Sequence, residues 1–145
     1  MNIIDNTCIS YIFQNHLDFE EEYYMAPEVV EEAEFPQTQH NLQLPRQICP
    51  IKGHELFDES TYIDFYKQIL NKYEGKSFFN MTGLGDHSIL ATVHTVLKAQ
   101  SMKKQRNLFE VFEVIVFTDD NGLSKKIEKE FLNQAVILKS YQDIR

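Results

Sequence analysis

Neither lysine nor arginine occurs in the first 45 residues of this 145-residue chain, although nine acids do. Phosphate binding usually calls for bases, so this lack and the formal net charge of −8 argue at first against a nucleic-acid partner. The deficit is local. Residues 46–145 carry 13 acids against 14 bases, and the excess negative charge sits in residues 18–34, where Glu20-Glu21-Glu22 reads as a solvated face. Cysteine is scarce too. Cys8 and Cys49 form no C-x-x-C pair and are too few for a disulfide framework, so two reduced thiols in a cytoplasmic protein are expected. No apolar run approaches the roughly 18 residues that span a bilayer. The opening Met1-Asn2-Ile3-Ile4-Asp5 has neither the basic nor the long apolar region of a secretory signal. A cytoplasmic location with no membrane partner is the expectation. There is no internal repeat, no low-complexity tract, and no Gly-x-Ser-x-Gly, His-Glu-x-x-His or zinc-ligand spacing. Gly83-x-Gly85 is no phosphate loop, because no Lys-Ser/Thr follows it. His87 and His94 stand about 10.5 Å apart by the helix rise, too far to chelate one ion; they read as surface or packing residues.

What is present suits one folded domain over residues 1–145. The apolar share is 43%, typical of a globular chain, and the length allows one core rather than two. Asn2-Ile3-Ile4-Asp5 reads as a short buried strand ending in an acid, running into a helix over about 7–15 with Ile9, Ile12 and Phe13 at helical spacing. Pro27 suits the first turn of a second helix with Val29, Val30 and Ala33 as its apolar positions. Residues 35–53 hold three of the four prolines and read as a long polar loop. Residues 61–73 form an amphipathic helix, and 76–81 (Ser77-Phe78-Phe79) a short stretch of undecided type. A longer helix over 86–100 carries Ile89, Leu90, Val93, Val96 and Leu97. Phe112-Glu113-Val114-Ile115-Val116-Phe117 is the clearest strand, residues 121–133 a helix, and 135–138 a last strand. Alternating strands and helices predict an α/β fold with a mainly parallel sheet flanked by helices. Sites in such folds gather beyond the carboxyl ends of the strands.

Acids stand at those places. Asp5 ends the first strand, Thr118-Asp119-Asp120 closes the strongest later one, Asp86 opens the longest helix, and Glu31 and Glu32 lie one turn past Pro27. Carboxylates meeting without basic neighbours repel unless a cation sits among them, and Mg²⁺ binds through such oxygens. Each acid also has a plainer role, as a helix cap, a turn former or a first-turn acid facing the helix dipole.

Four segments in order resemble the PIN-domain nucleases, small toxin ribonucleases among them. They are Ile4-Asp5-Asn6-Thr7-Cys8-Ile9, the proline-led Ala26-Pro27-Glu28-Val29-Val30-Glu31-Glu32, Gly83-Leu84-Gly85-Asp86-His87-Ser88-Ile89-Leu90-Ala91, and Val116-Phe117-Thr118-Asp119-Asp120. The resemblance spans the chain, with departures. Asn6 stands where the family more often has Thr, with Thr7 one place later, and the loop over 35–53 looks longer and more polar than in the smallest members. The resemblance implies a three-layer sandwich and metal-dependent hydrolysis of RNA phosphodiesters. On this reading Asp5, Asp86 and Asp120, with Asp119 beside it, hold Mg²⁺ or Mn²⁺, and Glu32, or its neighbour Glu31, orients or deprotonates the attacking water. Thr7 and Thr118 support ligands or phosphate oxygens. Lys98, Lys103, Lys104 and Arg106 are candidate contacts to the RNA backbone, or else a solvated surface. The resemblance further implies a homodimer and a small antitoxin partner. Two rivals stand beside it. One is a PIN-like binding or assembly module without catalysis, against which the four acids weigh. The other is a receiver-like phosphotransfer domain, which wants an acidic pair where Asp5 is followed by Asn6.

Overall fold

The computed structural model describes residues 1–15, 17–40, 43–73, 84–103 and 112–145. Its elements run β1 (Asn2–Ile4), α1 (Asn6–Asn15), β2 (Tyr23–Met25), α2 (Pro27–His40), β3 (Ile48–Pro50), α3 (Glu59–Tyr73), α4 (Leu84–Lys103), β4 (Val114–Phe117), α5 (Asn121–Glu130) and β5 (Val136–Lys139). A 3-10 turn follows at Tyr141–Asp143. All five strands join one parallel sheet in the order β3-β2-β1-β4-β5, so the fold is the expected α/β arrangement. The register sets Ile3 beside Tyr24 on one side and Val116 on the other.

The strand order has a functional consequence. From β1 the chain steps outward through β2 to β3, then returns across α3 and α4 to place β4 against the other side of β1. Right-handed crossovers moving in opposite directions put α1 and α2 on one face and α5 on the other. The order therefore reverses between β1 and β4, and a crevice opens there above the strands' carboxyl ends.

Apolar strand residues fill the space between the layers. Ile3, Ile4, Val114 and Val116 are fully buried, with Cys8, Ile9, Ile12 and Phe13 of α1 closing over them. Tyr23 packs edge-on against Phe117 with ring centroids 5.0 Å apart. The helix α4 departs from the single apolar stripe expected of it. Its polar Ser88, Thr92 and Thr95 are buried along with Ile89, Leu90, Val93 and Val96, because α4 packs against both α2 and α3. Local hydrogen bonds satisfy two of the three: Thr95 Oγ1 donates to the Ala91 carbonyl at 2.7 Å, and Ser88 Oγ lies 2.7 Å from the Tyr62 hydroxyl, whereas Thr92 Oγ1 has no partner among the described residues.

The loop expected over 35–53 is the main correction. The helix α2 continues past Pro36 to His40, and β3 forms inside the same stretch. An interior proline removes one helical N–H and crowds the carbonyl four residues back, and α2 nonetheless runs through Pro36. Pro50 is tolerated because β3 is a sheet edge. The short strand β2 was also unforeseen, as three residues leave no period to detect. The stretch 76–81 lies outside the described residues. No described helix is long and apolar enough to cross a membrane.

Candidate functional site

Asp5 lies at the end of β1, where its N–H donates to the Phe117 carbonyl at 2.9 Å and carries the pairing with β4 one residue further. Its own carbonyl accepts from Cys8 N and Ile9 N, so the same residue starts α1. This double use fixes the side chain in the crevice with 4% exposure. Two hydroxyls then clamp one of its oxygens. Thr7 Oγ1 donates to Asp5 Oδ2 at 3.0 Å and Thr118 Oγ1 donates to it at 2.8 Å. Each hydroxyl in turn accepts a backbone N–H, Thr7 from Asp119 at 3.1 Å and Thr118 from Asp120 at 3.0 Å. The direction of both hydroxyl bonds is therefore settled, and Oδ1 takes neither. Burial raises the Asp5 pKa, with the threonine hydroxyls and a hydrogen bond from the Asn6 backbone N–H opposing and the Asp120 charge adding to the rise.

Asp120 performs the plainer role and lines the site at once. Its Oδ1 caps α5, accepting from Gly122 N at 2.8 Å and Leu123 N at 3.1 Å. Asp86 stands in the first turn of α4, which begins two residues earlier than expected, at Leu84. Burial, then the charges of Asp5 and Asp120, push its pKa up to about 7, against the pull of Lys126. The Lys126 Nζ stands 3.8 Å from Asp86 Oδ2. Glu32 reaches in from α2 to the start of α4, where the Gly85 N–H hydrogen-bonds its carboxylate. A Cβ on Gly85 would stand 2.6 Å from both Glu32 oxygens. Here glycine is needed for the close approach of a carboxylate rather than for a turn. Burial and the Asp5 charge raise the Glu32 pKa.

These side chains share one cleft of about 470 Å³, lined by Asp5, Asn6, Thr7, Ser10, Glu32, Asp86 and Asp120. The cleft takes one member of each pair that the sequence left open. Glu32 faces the cleft, whereas Glu31 is exposed outside its lining. Asp120 faces it, whereas Asp119 is exposed and accepts from Cys8 Sγ at 3.6 Å. Asp119 is therefore a poor ligand candidate. Lys103 also sits apart. It lies 17 residues beyond Asp86 on α4, about 25 Å by the helix rise, and it pairs with Glu55 at 3.3 Å. Lys98 has its Nζ 5.9 Å from the Phe65 ring centroid. Lys104 and Arg106 lie outside the described residues. His87 is buried against Tyr73, and His94 packs between Phe65 and Phe131 while contacting Glu130 at 3.0 Å.

The donor set suits a hard divalent cation. Among the described residues no three His, Cys, Asp or Glu side chains stand close enough to grip one ion directly. Mg²⁺ does not require that, since it commonly takes one or two carboxylates and keeps several waters. Asp5, Glu32 and Asp86, each raised in pKa by a neighbouring carboxylate, fit such a hydrated ion. Sequence reasoning missed Asn6, Ser10 and Lys126. Ser10 follows Asn6 by one helical turn and so shares its face, a signal available once Asp5 is chosen. No family model, curated protein or solved structure matches the chain.

Proposed function

We propose that the protein is a Mg²⁺- or Mn²⁺-dependent endoribonuclease of the PIN-domain kind, acting in the cytoplasm. The observation that carries this reading is the buried Asp5 carboxylate, clamped through Oδ2 by Thr7 and Thr118, sharing one cleft with Glu32, Asp86 and Asp120. When bound, the cation supplies Lewis acidity at the scissile phosphate and makes water a stronger acid. Asp5, Asp86 and the Asp120 oxygen not engaged in capping would hold it. Glu32, with a raised pKa, is suited to orient the attacking water and accept its proton. The neutral donors of Asn6 and Ser10, which line the same cleft, are suited to meet phosphate or ribose oxygens, while Thr7 stays committed to Asp5. The sequence resemblance adds a homodimer and a small antitoxin protein as proposed partners; a short neighbouring gene for a DNA-binding protein would support the second.

The direct test is cleavage of generic and structured RNA with Mg²⁺ or Mn²⁺ and after chelation. Cleavage that stops with EDTA and returns with Mn²⁺ is expected. Absence of cleavage with either ion, or cleavage indifferent to EDTA, rejects the reading.

Gly85→Ala gives a second, independent prediction. The clash falls on the flexible end of Glu32, so the fold accommodates it, and a helical Gly→Ala exchange gains about 0.5–1 kcal/mol of stability. The carboxylate must move by the order of 1 Å, which costs about a hundredfold in rate when a reacting group is misplaced. A raised melting temperature together with slow cleavage is therefore expected. Full activity in this variant would remove Glu32 from the mechanism.

A further inference from the structure

Among the described residues, Lys126 is the base that ion-pairs with a cleft carboxylate, its Nζ 3.8 Å from Asp86 Oδ2. The helix α5 delivers it from a first turn fixed by Asp120, so one cleft acid sets the position of the lysine that meets another. The Nζ also lies 5.5 Å from the Tyr73 ring centroid, and the side chain is 28% exposed. The contact is looser than the bridge from Lys72 to Glu130, which at 2.6 Å ties α3 to α5. A long, half-shielded pair is suited to exchange rather than to clamping. Its setting supplies the reason for exchange. Asp5, Glu32, Asp86 and Asp120 face one cleft, and Lys126 brings a single positive charge to them. A compact ammonium on a flexible four-carbon stem can leave one oxygen for another without rearranging the helix.

We infer that Lys126 is a built-in counter-cation of the cleft. It holds Asp86 in the ion-free protein, competes with a divalent cation for that carboxylate, and turns to the substrate phosphate once the cation has taken its place. The last step rests on the ribonuclease reading; the competition for Asp86 does not involve RNA. A divalent ion placed beside Asp86 stands within several ångströms of the ammonium, and their repulsion amounts to about a tenfold loss of affinity even at high dielectric.

The test is calorimetric titration of Mn²⁺ at pH 8 into wild type, Lys126→Met and Lys126→Arg, with Lys126→Gln as a second neutral variant and urea denaturation as the check on folding. Methionine keeps a straight apolar stem beside Tyr73 and removes the charge. Both neutral variants are expected to bind Mn²⁺ about tenfold more tightly than wild type, and Lys126→Arg about equally. At saturating Mn²⁺, RNA cleavage by the neutral variants is expected to fall about tenfold, as loss of one phosphate contact implies. Unchanged or weaker Mn²⁺ affinity in the neutral variants overturns the inference, as does failure of every variant to bind Mn²⁺. Tighter binding in variants of a wild type that cuts no RNA upholds the competition for Asp86 and rejects the ribonuclease reading instead.

Discussion

Asp5→Asn is expected to lower metal-dependent RNA cleavage about a thousandfold while leaving the melting temperature equal or higher. The reasoning is in the hydrogen-bond directions. Thr7 and Thr118 both spend their hydroxyl protons on Asp5 Oδ2, because each already accepts a backbone N–H, from Asp119 and Asp120. An asparagine at this position must turn its carbonyl oxygen to the two hydroxyls, since an NH₂ placed there would meet two donors. The NH₂ is then left where Oδ1 had been, on the side of the cleft, and an amide nitrogen with its protons outward repels a cation instead of binding it. A metal's stabilisation of the transition state is worth several kcal/mol, and about 4 kcal/mol corresponds to the thousandfold. Stability moves the other way. Burial raises the Asp5 pKa and the Asp120 charge raises it further, against the hydroxyls and the Asn6 backbone N–H that favour the anion, so a neutral isostere relieves part of a cost. Single-turnover cleavage at saturating Mn²⁺, run beside thermal melts, checks both halves. Cleavage within a few-fold of wild type would exclude Asp5 from the centre, and a collapsed melting temperature would mean the clamp is chiefly structural.

Much of this arrangement is legible in the chain itself, for identifiable reasons. The strand β4 is recognisable because Val114-Ile115-Val116-Phe117 is β-branched and aromatic throughout, and α1 because Ile9, Ile12 and Phe13 repeat with helical spacing. From those two, the positions of Asp5 and Asp120 at strand ends follow. The strands β2 and β3 are three residues each, too short for any period. Their place in the sheet comes from pairing with β1 and with each other, which the local sequence does not encode. Pro36 by composition marks a loop, yet α2 runs through it to His40. At the site, the acids were visible and their orientation was not. Glu31 and Glu32 differ by 100° around a helix whose packing against α4 is a tertiary fact, and Asp119 and Asp120 differ by which one caps α5. Lys126 was invisible for the same reason, since its meeting with Asp86 depends on how α4 and α5 pack.

The stability of the protein should carry the mark of this cleft, most strongly at Asp86. Its folded-state pKa is about 7, above the roughly 3.9 of an unfolded aspartate. The folded protein thus holds this proton more tightly than the unfolded chain does. Stability is fullest below the unfolded pKa, falls as pH rises from about 4 to 7, and levels off above it. The side chain is 15% exposed, so solvent screening is modest. At about 1.36 kcal/mol per pKa unit the ceiling is about 4 kcal/mol, and sharing with Asp5 and Asp120 brings the expected cost to about 2 kcal/mol. Asp86→Asn removes it. In the absence of divalent ions the variant should melt about 5–10 °C above wild type at pH 8 and close to it at pH 4. Mn²⁺ should raise the wild-type melting temperature at pH 8 and leave the variant nearly unmoved, so that added ion closes the gap that the mutation opened. Melts at the two pH values, with and without Mn²⁺, give all four corners of this comparison. A variant no more stable than wild type at pH 8 would show that Asp86 is adequately solvated or paired as an anion. An equal response of both proteins to Mn²⁺ would place the ion's binding elsewhere. If both expectations hold, the same carboxylate that destabilises the fold is the one that the ion needs.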